Sequence, residues 1–312
     1  MSIKSYLPSR LDTVDFSHSI CASSFANKFL CGILLITLCG CTQTILDPAG
    51  PIADAERIIL LDSVAIMLAI GIPAIIGILA FAWWFRASNP KAHRLTDWSY
   101  SGQLELLVWS IPALTVLFLG GIAWTSSHEL DPARPLDSPI KPLEVQVVSL
   151  DWKWLFIYPE QGIASVNRLV VPAHVPLHFR LTSATVMNVF FVPRIGSEIY
   201  TMNGMITQLY LQADKPGVYP GLSAHFSGDG FAGMAFNLEA LSEAQFATWV
   251  ADTQKSGPAL DAANYRELLT QSQEVKPYTY RNARAGLFDA IVMQKLPSVD
   301  GRQTNISPKR EK

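Results

Sequence analysis

The residues able to bind a metal or carry electrons are unevenly placed in this 312-residue chain. All four cysteines, Cys21, Cys31, Cys39 and Cys41, lie within the first 41 residues. A soft metal held by sulfur needs ionised cysteine, and none follows Cys41. The same absence excludes a disulfide framework downstream. Histidines do occur later, at His174, His178 and His225. His174 and His178 share strand parity with Arg180 and Thr182, opposite Val175, Leu177 and Phe179, and a flanking guanidinium repels a cation. They read as surface histidines, with a zinc or copper site that adds His225 as the alternative. Glu105 opens a long apolar run. An ionisable side chain at a membrane boundary points to function, whereas an acid in a first helical turn is also favoured by the macrodipole.

These residues have to be positioned by two spans and a water-facing domain. Ser63 to Phe85 gives 23 residues without a charge, roughly 35 Å of helix. Leu106 to Trp124 gives 19, roughly 29 Å. Both match a hydrocarbon core of about 30 Å, with Trp83, Trp84, Phe85 and Trp124 as interfacial aromatics. Pro73 and Pro112 lie inside, which membrane helices tolerate. Arg86, Lys91 and Arg94 against Asp97 make the connecting loop cytoplasmic, so both termini lie across the membrane. A net charge of −2 and the lack of a basic, aromatic-interleaved cluster give no reason to expect nucleic acid.

The N-terminus reads as a targeting segment. Lys28 precedes the apolar run Phe29 to Leu38, too short to span. The run ends in Leu38-Cys39-Gly40-Cys41, which resembles a bacterial lipoprotein box. In that motif Cys41 would be lipidated and become the new N-terminus. An ordinary secretory signal is the alternative.

From about Leu143 to Leu238 the pattern changes to short alternating runs. Val145, Val147 and Ser149 alternate with Glu144, Gln146 and Val148, and turn signals recur at Pro159 to Gly162, Pro216-Gly217 and Gly228 to Gly230. This predicts an all-β sandwich or barrel. Asp151 to Tyr158 is a dense aromatic strand, read as core, with an electron-entry or docking role as the alternative. Ser242-Glu243-Ala244-Gln245 resembles a capping box. Phe246, Trp249 and Val250, then Tyr265, Leu268 and Leu269, then Leu287 to Met293 predict short helices.

The chain resembles subunit II of the haem–copper respiratory oxidases, with two N-terminal spans followed by a cupredoxin barrel. In the cytochrome c oxidase branch a copper histidine sits in Val-x-His-x-Phe-x-Val-Pro. Here Val186 to Pro193 places Asn188 at that position. The second copper motif corresponds to Ser223 to Met234, where Ser223 and Ser227 replace the cysteines and Phe231 the histidine. Met234 remains, and His225 stands where the family binds copper through a backbone carbonyl. Ser and Asn are poor donors for a soft copper pair. The substitutions resemble the quinol oxidase branch, the cytochrome bo-type ubiquinol oxidases, which keep the barrel without the metal. Phe190 to Pro193, Gly196 to Tyr200 and Gly230 to Met234 add to the agreement.

The resemblance implies a subunit of a proton-pumping ubiquinol oxidase in a bacterial inner membrane, with no cofactor of its own. Haem and copper belong to partner subunit I, smaller membrane subunits are further partners, and ubiquinol reaches the complex through the lipid. Glu105 matches the family's glutamate at a proton-uptake entrance. The expected organisation is a signal peptide at 1–40 and a periplasmic segment at 41–57. A transmembrane hairpin follows at 58–128, with helices at about 60–85 and 104–125. A cupredoxin-like domain at 140–240, a helical C-terminal arm at 241–296 and a disordered tail at 297–312 complete it. Two competing readings are a lipid-anchored periplasmic assembly or binding module, and an aberrant cytochrome c oxidase subunit II.

Overall fold

A computed structural model describes residues 45–93 and 96–295. Among the described residues, the first helix, α1 (Pro51–Trp84), and the second, α2 (Gly102–Glu129), are the two apolar elements long enough to cross a bilayer. α1 begins well before the uncharged run that marks it in the sequence. Pro51 occupies its first turn, where a missing N–H costs nothing, and Asp54 complements the macrodipole there. The charges Asp54, Glu56, Arg57 and Asp62 hide these turns from a hydropathy reading, because they belong to the helix outside the hydrocarbon.

Those extra turns are fastened to the β domain. The Ala49 N–H donates to the Arg194 carbonyl at 2.7 Å, and the Asp214 N–H donates to the Ala49 carbonyl at 2.8 Å. Arg194 pairs with Asp47 at 2.5 Å, and the Ser197 hydroxyl donates to the Glu56 carboxylate. Gly50 allows the closest approach. A Cβ there would lie 2.1 Å from the Gln212 carbonyl oxygen and 2.9 Å from that of Ile195.

The domain is a two-sheet sandwich. One sheet contains β1 (Leu143–Leu150), β2 (Lys153–Tyr158), β3 (Ile163–Val166), β5 (Pro176–Ser183), β8 (Thr207–Gln212) and β12 (Tyr278–Tyr280), in the order β12-β3-β2-β1-β5-β8. The other contains β4 (Arg168–Pro172), β6 (Asn188–Phe191), β7 (Ile199–Thr201), β9 (Gly217–Ser223) and β10 (Ala235–Leu241), in the order β4-β10-β9-β6-β7. β1 runs parallel to β5 and β4 parallel to β10, while the other pairs are antiparallel. A short pair, β11 (Ala259–Leu260) with β13 (Asn282–Ala283), stands apart.

Aromatic rings fill the space between the sheets. Trp154 meets Phe190 at 5.6 Å and Phe236 at 5.7 Å, and Phe179 meets Phe190 at 5.3 Å. These edge and tilted contacts add to the large apolar area each ring buries. The buried Tyr158 hydroxyl donates to the Val170 carbonyl at 3.0 Å and accepts from the Val170 N–H at 2.9 Å. Burial pushes its pKa up.

Strand β2 is buried on both faces, which explains why its sequence after Lys153 is continuously apolar and not alternating. The C-terminal arm comprises α3 (Glu243–Lys255), α4 (Ala262–Leu269) and α5 (Leu287–Val292). Helices α4 and α5 cover the second face of β2, while Phe246 and Trp249 of α3 pack onto the core between the sheets. Leu155 and Ile157 share a separate core with Tyr265, Leu268, Leu287, Phe288 and Ile291. The capping box at Ser242 and Gln245 is formed as the sequence predicts. Strand β12, which extends the first sheet from within the arm, was not apparent in the sequence.

Gly50→Ala sets a Cβ against two backbone carbonyls that cannot rotate away. It should cost about 1–3 kcal/mol of local overpacking and loosen the start of α1 from β8. Faster limited proteolysis around residues 46–52, with α1 and α2 still membrane-inserted, is the expected readout.

Candidate functional site

Three parts of the chain converge at one end of the second sheet: the entry to β6, the exit of β9, and the turn before β10. Pairing of Phe190 with Ser223 across β6 and β9 brings Asn188 and Ser223 together. Both are buried, Asn188 completely. The Ser223 hydroxyl lies 3.1 Å from Asn188 Oδ1 and 3.4 Å from the His225 carbonyl oxygen, and its single proton is shared between these two acceptors. Asn188 Nδ2 donates to the Val186 carbonyl at 3.3 Å. The Thr201 hydroxyl contacts the Asn188 carbonyl at 3.3 Å and the Ser149 hydroxyl at 2.8 Å. Met234 is buried, and its carbonyl accepts the Ser223 N–H at 3.2 Å.

Trp152 holds the loop that follows. Its Nε1–H donates to the Ser227 carbonyl at 2.9 Å. The ring lies over Gly230, where a Cβ would come within 2.4 Å of it. Gly228 adopts φ 109°, a conformation that strongly favours glycine. The Ser227 hydroxyl is buried with no hydrogen-bond partner among the described residues. Phe231 turns away in a 3₁₀ turn (Phe231–Gly233), packing edge-on against the exposed Phe226 at 5.7 Å. So the structure joins Asn188, Ser223 and the His225 carbonyl beside Met234, and leaves Ser227 and Phe231 outside that network.

This donor set does not fit a copper pair. Neutral hydroxyl and amide oxygens are hard donors, one thioether is a weak one, and nothing here supplies a bridging thiolate. Among the described residues, no group of three His, Cys, Asp or Glu side chains could hold a metal ion. The shared-face reading of His174 and His178 is corrected. His174 precedes β5 in a turn at φ 62°, because Pro176 starts the strand and the turn ends its alternation. His178 stacks on Tyr210 at 4.4 Å and bonds Gln208 at 3.0 Å. His225 meets the Tyr200 ring edge-on at 6.0 Å.

Glu105 lies in the first turn of α2, its N–H donating to the Ser101 carbonyl at 3.0 Å and its side chain exposed. Cys41 lies outside the described residues. Sequence reasoning missed the clamping role of Trp152. Its signal was the glycine pair Gly228 and Gly230, which leaves room for a flat ring.

A water-facing cupredoxin-type sandwich carried on a helical hairpin is the architecture of a respiratory oxidase second subunit. Residues 144–241 match the family of the cytochrome c oxidase subunit II periplasmic domain, and residues 254–295 match the COX aromatic-rich motif. The chain is 45% identical over 267 residues to the cytochrome bo(3) ubiquinol oxidase subunit 2 of Pseudomonas aeruginosa, covering 86% of this chain and 81% of that one. It is 44% identical over 259 residues to the ubiquinol oxidase subunit 2 of Acetobacter aceti, covering 82% and 84%. With cytochrome bo(3) ubiquinol oxidase subunit 2 of a Buchnera aphidicola strain, identity is 40% over 88% of this chain and 96% of that one. The chain therefore belongs to the family of ubiquinol oxidase second subunits.

Two substitutions in the pocket should act in opposite directions. Asn188→Ala removes a buried acceptor and leaves its neighbours short of partners, lowering stability by about 1–3 kcal/mol. Ser227→Ala deletes a buried hydroxyl that has no partner, so it should be neutral or slightly stabilising. Midpoints of thermal unfolding for the two variants in the purified assembly provide the comparison.

Proposed function

We propose that this chain is the second subunit of a proton-pumping ubiquinol oxidase in a bacterial inner membrane. The complex oxidises ubiquinol and reduces dioxygen to water at haem and copper held by subunit I, with smaller membrane subunits as further partners. The observation that carries this reading is the Asn188–Ser223 hydrogen bond at 3.1 Å, formed at the positions that correspond to copper ligands in the cytochrome c oxidase branch. With Ser227 and Phe231 at the remaining lost-ligand positions, the barrel has no relay for electrons arriving from water. A hydroquinone dissolved in the lipid needs none.

In this role the chain binds and orients without transferring electrons. The helical hairpin packs in the membrane beside subunit I, and the barrel forms a platform above it. Glu105 is placed at the entrance of the proton-uptake path. Its position in the first turn of α2 and its exposed side chain support that reading, since a carboxylate at the cytoplasmic end of a span is one that water can reach. Cys41 is the lipid anchor after removal of the leader, holding the mature N-terminus on the periplasmic side with the barrel.

Three measurements test this reading. The purified complex should consume oxygen with a short-chain ubiquinol and fail to do so with reduced cytochrome c. The reverse preference, or near-infrared absorption from a binuclear copper centre, overturns it. Glu105→Ala should slow turnover and proton uptake severalfold while the complex still assembles and binds quinol. Unchanged turnover removes Glu105 from the path. Mass analysis of the mature N-terminal peptide should show acylated Cys41, and Cys41→Ser should abolish the modification.

A further inference from the structure

Beside Trp152, a second polar site lies between the barrel and the C-terminal arm. Lys153 opens β2 and is only 2% exposed. Its ammonium donates to the Thr270 carbonyl at 2.7 Å and to the Ser272 hydroxyl. An ammonium has three donors, so one is left over. No carboxylate pairs with it among the described residues. Asp151 acts on it only from a distance. The Asp151 carboxylate instead accepts from the Thr185 hydroxyl at 2.5 Å and from Gln271 Nε2 at 3.1 Å. Burial therefore outweighs Asp151 and pushes the Lys153 pKa down. A buried cation without a counter-charge is costly, and a neutral donor could pin the same carbonyl without that cost.

The uncompensated charge faces usable space. Lys153, Glu267, Thr270, Ser272 and Tyr278 line a cavity of about 300 Å³. The Tyr278 hydroxyl accepts from the Tyr280 hydroxyl at 3.4 Å, so its own proton remains available to a guest. We propose that this cavity binds a small phosphate-type oxyanion, seated on the Lys153 ammonium with the Tyr278 hydroxyl as a further donor. A tetrahedral oxyanion offers acceptors in several directions at once, as donors spread around a wall require, and it supplies the missing negative charge. Glu267, exposed on the same wall, repels such a guest and limits its affinity.

The test is equilibrium dialysis of the purified oxidase complex against radiolabelled inorganic phosphate, at constant ionic strength held by chloride. Saturable binding of one phosphate per copy of this chain is expected. Lys153→Met should weaken it at least tenfold, and Tyr278→Phe by a few-fold, without loss of oxygen consumption. Because Lys153→Met also risks loosening the arm, Glu267→Gln is the decisive variant. It keeps the lysine and should tighten phosphate severalfold. Absence of saturable binding to the wild type overturns the proposal, as does unchanged or weaker binding to Glu267→Gln. Competition by short-chain phosphatidylglycerol would assign the site to a lipid headgroup, and its failure to compete would assign it to free phosphate. Either result upholds the site.

Discussion

The dry cluster of rings between the two sheets governs the rest of the water-facing domain. Trp154, Phe156, Phe179, Phe190 and Phe236 are all essentially removed from water, each contributing about 1.5–3 kcal/mol of burial. Their spacing sets the site. Asn188 stands two residues before Phe190, Met234 two before Phe236, and Trp152 two before Trp154. Asn188 and Phe190 lie together in β6, where residues two apart share a face, so the anchored ring directs Asn188 the same way. Trp152 and Met234 end the turns that lead into β2 and β10. The pocket's shape is thus imposed by apolar packing, and it does not need a metal to hold it.

What occupies the pocket is a chain of neutral hydrogen bonds running from Ser149 through Thr201 and Asn188 to Ser223 and the His225 carbonyl. Such a chain satisfies buried polar groups, which would otherwise destabilise the fold. It has no redox couple. The carbonyl that the resemblance assigns to copper coordination accepts a serine proton here, so the loop geometry survives with its chemistry replaced. The same family platform can then serve a donor that never leaves the lipid.

Much of this was legible beforehand. Alternation at Val145, Val147 and Leu177 marked strands, and the Ser242 to Gln245 capping box marked the start of α3, because both are local signals. The substitutions at Asn188, Ser223, Ser227 and Phe231 were readable as a motif. What was hidden depends on contacts distant in sequence. The early start of α1 was masked by charges that lie outside the hydrocarbon. His174 was assigned a strand position that the turn before Pro176 denies it. Strand β12 is three residues long and is specified by its neighbour β3. Lys153 looked like one polar residue in an aromatic strand, and only the folded arm shows that it is buried.

The unbroken length of α1 has a mechanical consequence. Its 34 residues extend about 51 Å, while the hydrocarbon accounts for about 30 Å. The surplus turns are bolted to the sandwich at Ala49, Gly50 and Glu56, with no flexible joint between. Between Glu56 and Pro73 the helix therefore acts as a lever arm: a change of tilt in those turns swings the β domain with them, while Pro73 is the interior position at which the helix can bend. The outer turns and the sandwich thus move as one piece, with the place for bending set inside the span and not at the junction with the domain.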